Sequence, residues 1–362
     1  LLGRTARRNR SLHAVNEPAQ LLAKLLAVGF RAPRNEEFFT CRRLCKGFVK
    51  LTLPLIMPIA INPENVRNTT FDTIVIGGGI IGVCIALSLQ QAGQQVLLIE
   101  RQAIAAGASG GNAGHIGSEQ IAPIASLGIV KDLPTMLLDP LGPVRIDFRY
   151  WAQLMPWFIR LLWQLRRQPY QASCRALQQI NRQALPAWEQ LLKRENLSHL
   201  LRLNGSYAVA ATAKGIQLLQ DQQRQLAAAD IPVQWLNQAD LHVRLPLLTD
   251  NHRGGLFYPT TAHVICPKSV CEALHARFVA AGGLTHFATV NHIGESDKHV
   301  DIRIDNDDKP LHSRQAIIAT GINSIDLVKQ SSGIRVPLKD ERGYHLMTQI
   351  PENGEHGLLD AP

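Results

Sequence analysis

Beyond residue 70 the chain alternates apolar blocks with glycine-rich breaks, and the first block is the most regular. Asp72-Thr73-Ile74-Val75-Ile76 is short, β-branched and apolar, which predicts a buried strand. Gly77-Gly78-Gly79-Ile80-Ile81-Gly82 follows at once. Ile81, Cys84, Ile85, Leu89 and Ala92 then recur at helical spacing, and Gly93 marks the stop. Val96–Ile99 predicts a second apolar strand, ending on Glu100.

The middle of the chain reads differently. Tyr150, Trp151, Leu154, Trp157, Phe158, Leu161, Leu162 and Leu165 form an apolar stripe at helical spacing, flanked by Arg160, Arg166 and Arg167. This suits a helix packed on the protein's own core, with a membrane-surface helix as the alternative. Residues 176–195 predict another amphipathic helix, broken or kinked at Pro186. Leu203–Ala211 and Gly254–Tyr258 read as strands of a second domain, with a helix over 214–229 and a short strand at Ile231–Trp235. Pro267 opens a helix that reaches about Ala281 and stops at Gly282-Gly283. Strands at 284–290 and 299–304 lead to the run Ala316–Gly321. No internal repeat or low-complexity segment stands out.

Charge changes this picture little. The formal net charge is +9, but residues 1–56 hold 11 Lys/Arg against 3 Glu, and the other 306 residues hold 27 basic against 26 acidic. The globular part is nearly neutral, so nucleic acid is not an expected partner. The first methionine is Met57, and residues 1–56 are expected to be translated upstream sequence. An Arg-rich, acid-poor targeting extension is the alternative, although Ser11 is its only serine. Leu51–Ile61 has 11 residues and two prolines, short of the ~20 a transmembrane helix needs. Cys41, Cys45, Cys84, Cys174, Cys266 and Cys271 make no CxxC pair, and no histidines stand at zinc-ligand spacing. No metal is expected, a reducing compartment is, and Cys84 reads as a small buried apolar residue.

The glycine turn carries the chemistry. GxGxxG between a strand and a helix is a dinucleotide signature: Gly77 permits the tight turn, Gly79 a close backbone approach to pyrophosphate, and Gly82 close helix–strand packing. Ile80 and Ile81 open the helix, whose free N–H groups suit phosphate. Glu100, 18 residues after Gly82, is placed to accept bonds from ribose hydroxyls and would repel a 2′-phosphate, which argues against NADP. Arg101 follows, then a loop of small residues, Ala105–Gly114. Main-chain amides around Ala108, Asn112, Ala113 and Gly114, with the Ser109 hydroxyl, could reach a pyrophosphate or a flavin ring. That loop favours FAD over NAD, an NAD-dependent dehydrogenase being the rival.

The turn GGGIIG, the strand ending in Glu100-Arg101 and the loop GASGGNAG together resemble the D-amino-acid oxidase superfamily of FAD enzymes. Within it the likeness is to D-amino-acid dehydrogenases of the bacterial DadA type. Pro156-Trp157-Phe158 is similar to a helical excursion of such enzymes, Ala319-Thr320-Gly321 to the family's second FAD-contacting turn, and Arg342-Gly343-Tyr344-His345 to the start of a substrate-domain strand.

The resemblance implies an α/β chain: a Rossmann-like FAD-binding domain with an inserted α+β substrate domain whose mixed sheet is largely antiparallel. The expected boundaries are a non-native or targeting extension over 1–56, FAD domain at 57–118, helical excursion at 119–200, substrate domain at 201–265, FAD domain again at 266–323, and an incomplete return to the substrate domain at 324–362. Family members continue past the point where this chain stops, so a truncated, inactive fragment is one expectation. The other is oxidation of an amino-acid C–N bond, by hydride transfer from Cα to flavin N5. Glycine, sarcosine or 2-hydroxy-acid oxidation is the alternative within the superfamily. Tyr258, Arg342, Tyr344 and His345 are the candidate substrate contacts. Arg342 could clamp a carboxylate, and His115 could face the flavin or cap its loop. The implied partners are an amino acid and, as electron acceptor, a quinone or oxygen. The implied location is the cytoplasm, with peripheral contact on the inner face of the cell membrane as a variant.

Overall fold

The computed structural model describes residues 69–123, 127–138, 149, 151–246, 248–296, 299–305, 307 and 309–338. They fall into two compact units, one within residues 122–177, the other from residues up to 121 and from 178 onward.

The second unit is built on a six-stranded sheet. Strands β1 (Phe71–Ile76) and β2 (Val96–Glu100) enclose helix α1 (Ile80–Gln91), the βαβ unit expected from the sequence. Strand β9 (Leu284–Phe287) pairs parallel with β2, and β12 (Leu311–Ile318) parallel with β1. Strands β10 (Val290–Glu295) and β11 (Val300–Ile304) extend the β12 edge antiparallel, so the order is β10-β11-β12-β1-β2-β9.

Both faces of β1 and β2 are buried, which is why they read as continuous apolar runs rather than alternating ones. Val75, Val96 and Leu98 point one way. They pack against Val83 and Leu87 of α1 and against Val270, Leu274 and Phe278 of the helix Pro267–Ala280. Ile74, Ile76, Leu97 and Ile99 point the other way and meet Val290, Ile293, Ile302 and Ile304. Each such side chain contributes about 1.5–3 kcal/mol through burial.

Two smaller antiparallel sheets fall between β2 and β9 along the chain. Strand β8 (Ala262–Val264) lies between β3 (His115–Ile116) and β4 (Leu201–Arg202). Strand β7 (Gly254–Tyr258) lies between β5 (Ser206–Ala210) and β6 (Gln234–Asn237). The helices between α1 and the Pro267 helix are α2 (Leu127–Leu138), α3 (Trp151–Gln164), α4 (Arg167–Arg194), α5 (Ala213–Ala228) and α6 (Gln238–Arg244). The Pro267–Ala280 helix is α7, and α8 (Ser324–Ser332) follows β12.

The structure corrects four details of the sequence reading. The stretch read as a strand from Leu203 to Ala211 becomes strand only at Ser206, after Gly205, whose φ of +73° turns the chain and where a Cβ would stand 2.5 Å from the Phe257 ring. The stretch 284–290 ends β9 and begins β10 on opposite edges of the sheet. Helix α4 starts earlier than expected and runs through Pro186 without ending there. The buried face of α1 is Gly82, Val83, Ala86 and Leu87, while Ile81 is 64% exposed.

Candidate cofactor site

The carboxyl ends of β1, β2 and β12 open into one cleft of about 650 Å³, where open parallel sheets take their ligands. Of the residues expected to hold a dinucleotide, Gly77, Gly79, Ile81, Glu100, Arg101, Ala108, Ser109, Ala319, Thr320 and Gly321 line it. Ile80 and Gly82 lie at the start of α1, and Asn112, Ala113 and Gly114 are not among the lining residues.

The turn is fixed by contacts only glycine permits. Gly77 has φ +113°, and a Cβ there would stand 2.5 Å from the Ala319 carbonyl oxygen. A Cβ on Gly82 would run into the Gly77 carbonyl oxygen, so the first turn of α1 sits directly on the end of β1. Gly79 is the N-cap of α1, with extended backbone and no capping side chain of its own. The cap comes instead from the distant loop: Ile80 N–H donates to Ser109 Oγ at 3.0 Å. The first turn of α1 carries no acidic side chain, which leaves its positive dipole end free for an anion.

The loop after β2 is tied down at both ends. Ala105 N–H donates to the Gly78 carbonyl at 3.0 Å. Asn112 Nδ2 donates to the Ala108 and Ser109 carbonyls at 3.2 and 3.1 Å, and its Oδ1 accepts from Gly114 N–H at 2.7 Å. Asn112 therefore braces the loop that carries Ser109. Glu100 is held as firmly: Oε2 accepts from Gly78 N–H at 2.6 Å and Oε1 from Gln102 N–H at 3.0 Å. A carboxylate has about four acceptor positions, so about two stay open for other donors.

Gly78 was not singled out by spacing, yet its N–H fixes Glu100 and its carbonyl fixes Ala105. Residues 288–291 also line the cleft unforeseen, because β9 pairs with β2 and Ala288 N–H donates to the Glu100 carbonyl at 3.0 Å. On the other wall stand Asn323, Ser324, Asp326 and Gln330, from α8 and the turn before it. A pairing such as Leu97 with Leu284 leaves no signal in local periodicity.

A second polar cluster follows the loop. His115 Nε2 lies 2.8 Å from Glu119 Oε1, and this hydrogen bond, helped by the carboxylate's charge, raises the imidazole above its ordinary value against the opposing effect of burial. The Glu119 side chain is 12% exposed, and its Oε2 has no hydrogen-bond partner among the described residues. A Cβ on Gly117 would stand 2.9 Å from both Glu119 oxygens, so the backbone there crowds the carboxylate.

Tyr258 is 5% exposed, and its hydroxyl donates to Gln222 Oε1 at 3.1 Å. Burial, then the nearby Glu119 charge, pushes the phenol up to about 12, and Tyr258 is neutral at any physiological pH. It packs in the core with Leu226 and Leu256 and is not part of the cleft lining. Arg342, Tyr344 and His345 lie outside the described residues. Cys84 and Cys271 are both raised by burial, to about 11 and about 12, which makes them inert thiols rather than nucleophiles.

The DAO family, described as FAD dependent oxidoreductase, matches residues 72–362. The D-amino-acid oxidase of Bradyrhizobium diazoefficiens is similar at 28% identity over 299 residues, covering 79% of this chain and 68% of that protein. A D-amino acid dehydrogenase of Helicobacter pylori is similar at 23% over 285 residues, covering 78% and 67%. Among solved structures, glycine oxidase from Bacillus cereus superposes with a TM-score of 0.52 at 18% identity, over 72% of this chain and 59% of that one. L-amino acid deaminase from Proteus vulgaris gives 0.52 at 13%, over 74% and 57%. The likeness to these structures is one of fold, and the chain spans less than two thirds of their length.

Proposed function

Because this chain belongs to the DAO family of FAD dependent oxidoreductases, we propose that it oxidises the C–N bond of an amino acid, with D-amino acids as the substrates. The observation that carries the reading is the cleft at Gly77–Gly82, Ser109 and Thr320. The family's cofactor is FAD, and the residues present fit it. Gly77 and Gly79 line the cleft beside the acid-free first turn of α1, where a diphosphate needs main-chain donors. Glu100 keeps acceptor capacity at the β2 end for ribose hydroxyls.

Bound FAD would supply the hydride acceptor for the substrate Cα–H, and oxidation of the C–N bond would yield an imino acid that water hydrolyses to a 2-oxo acid and ammonia. The protein's own tasks are placement and charge. The start of α1 and the Ser109 loop hold the diphosphate, while Gly78 and Gln102 keep the Glu100 carboxylate aimed. Arg342 is proposed to clamp the substrate carboxylate, with Tyr344 and His345 as further candidate substrate contacts. Tyr258 serves by packing and by its bond to Gln222. D-amino acids are favoured over glycine or 2-hydroxy acids because the curated relatives named above are a D-amino-acid oxidase and a D-amino acid dehydrogenase.

The test is anaerobic addition of D-alanine to the FAD-loaded chain. Bleaching of the flavin absorbance, with pyruvate and ammonia formed in equal amounts, is the expected result. Bleaching by glycolate or sarcosine alone would give the function to the alternative substrates. Oxygen uptake measured against quinone reduction then identifies the acceptor.

Helix α3 favours a quinone at a membrane. Trp157 is 50% and Trp163 62% exposed, Ile159 and Leu162 are exposed beside them, and Arg166 lies over the Trp163 ring at 4.4 Å. Among the described residues no helix is long and apolar enough to cross a membrane, so this reading is one of surface contact.

A further inference from the structure

The face of the sheet at the β10–β11–β12 edge carries a group of side chains that the oxidation does not use. His299 precedes β11, Asp301 lies on it, and His312 lies opposite Asp301 on β12. Asp301 Oδ1 lies 3.1 Å from His299 Nε2 and 2.6 Å from His312 Nδ1, and the three ligand atoms all fall within 4.8 Å of one another. The two imidazoles meet edge to face with centroids 4.9 Å apart. On the other side of Asp301 its cross-strand partner is Gly294, which has no side chain to cover the carboxylate. All three groups are partly open to solvent.

From this geometry we infer that His299, Asp301 and His312 form a binding site for a first-row divalent transition ion of the zinc or nickel kind. Two imidazole nitrogens and one carboxylate oxygen make a donor set such ions prefer, whereas Mg²⁺ and Ca²⁺ take oxygen ligands. Bond lengths of about 2.0–2.1 Å in a tetrahedral arrangement put ligand atoms roughly 3.4 Å apart. Asp301 Oδ1, at 3.1 and 2.6 Å from the two imidazole nitrogens, must move out slightly within a set no more than 4.8 Å across. Water fills the remaining positions.

The role is structural. His312 lies at the start of β12 and the cleft at its end, six residues on, which at the rise of a strand is roughly 20 Å away. The ion would tie β11 to β12 and so pin the edge of the sheet that supports the cofactor cleft.

The experiment uses the FAD-loaded chain without an affinity tag, titrated with Zn²⁺ by calorimetry and with Co²⁺ by visible absorbance. One ion per chain, a four-coordinate Co²⁺ spectrum, a Tm that climbs with Zn²⁺ concentration and silence toward Mg²⁺ are expected. His299→Ala, His312→Ala and Asp301→Asn should each weaken binding by about tenfold or more, while their retained flavin absorbance reports an intact fold. The inference is overturned if the parent chain binds neither ion, or if binding survives unchanged in folded variants.

Discussion

Gly82 has no room for even a methyl group, because its Cβ position is taken by the Gly77 carbonyl oxygen. Gly82→Ala should therefore cost about 1–3 kcal/mol, as overpacking usually does. The variant should also be purified with less FAD than the parent, read from the ratio of flavin to protein absorbance. Ser109 acts more gently. Its hydroxyl caps Ile80 N–H from another loop, and Ser109→Ala should lower stability by about 1 kcal/mol in denaturant titration, the usual worth of a helix N-cap. At His115 the sign of the pH effect follows from Glu119. The folded chain holds the imidazole proton more tightly than the unfolded chain, whose histidine stays near 6.5. The pair's stabilisation is thus complete below about pH 6.5 and fades as pH rises through the higher folded value. Glu119→Gln should bring the His115 value down in an NMR titration of the ring; an unmoved ring would contradict the assignment. His115 and the turn glycines were readable from sequence as residue types, whereas Glu119 and Gly78 were not, because their importance lies in which oxygen or amide they face.

At the scale of elements, periodicity succeeded where one face differs clearly from another and failed where it does not. Helix α1 is apolar nearly all round, so several stripes fit it equally. The packing of α7 and β2 selects Val83, Ala86 and Leu87, and Ile81 is left facing the cleft. The division of 284–290 into β9 and β10 was hidden because both halves are β-rich and only the sheet order separates them. Helix α4 continues past Pro186, so of the break or kink that a proline predicts, the break does not occur. The sequence spacing suits either a packed helix or a membrane-surface helix at α3, and Trp157, Ile159, Leu162 and Trp163 are exposed on it. If it rests on a bilayer, Trp157→Glu with Trp163→Glu should abolish sedimentation of the chain with anionic phospholipid vesicles while flavin content stays the same. Equal sedimentation of parent and double variant would remove the membrane from the account.

For the whole molecule, the order strand, glycine turn, helix, strand, acid was enough to place the parallel core, since each local preference agrees with the next. The antiparallel pairing of β5, β6 and β7 agrees with what the family resemblance implies, whereas the residue pattern alone marks them only as strands. What the linear sequence does not hold is distance in space: His299, Asp301 and His312 look scattered until β11 and β12 pair. The same pairing of remote strands creates the cleft, which joins the ends of β1, β2 and β12 to residues 288–291. The account rests on that cleft as the seat of a flavin dinucleotide. The direct test is titration of the purified chain with FAD, followed by quenching of flavin fluorescence, with the Gly82→Ala variant alongside. Saturation at one FAD per chain, with affinity sharply reduced in the variant, is predicted. A parent chain that is colourless as purified and leaves the fluorescence of added FAD unchanged would contradict it.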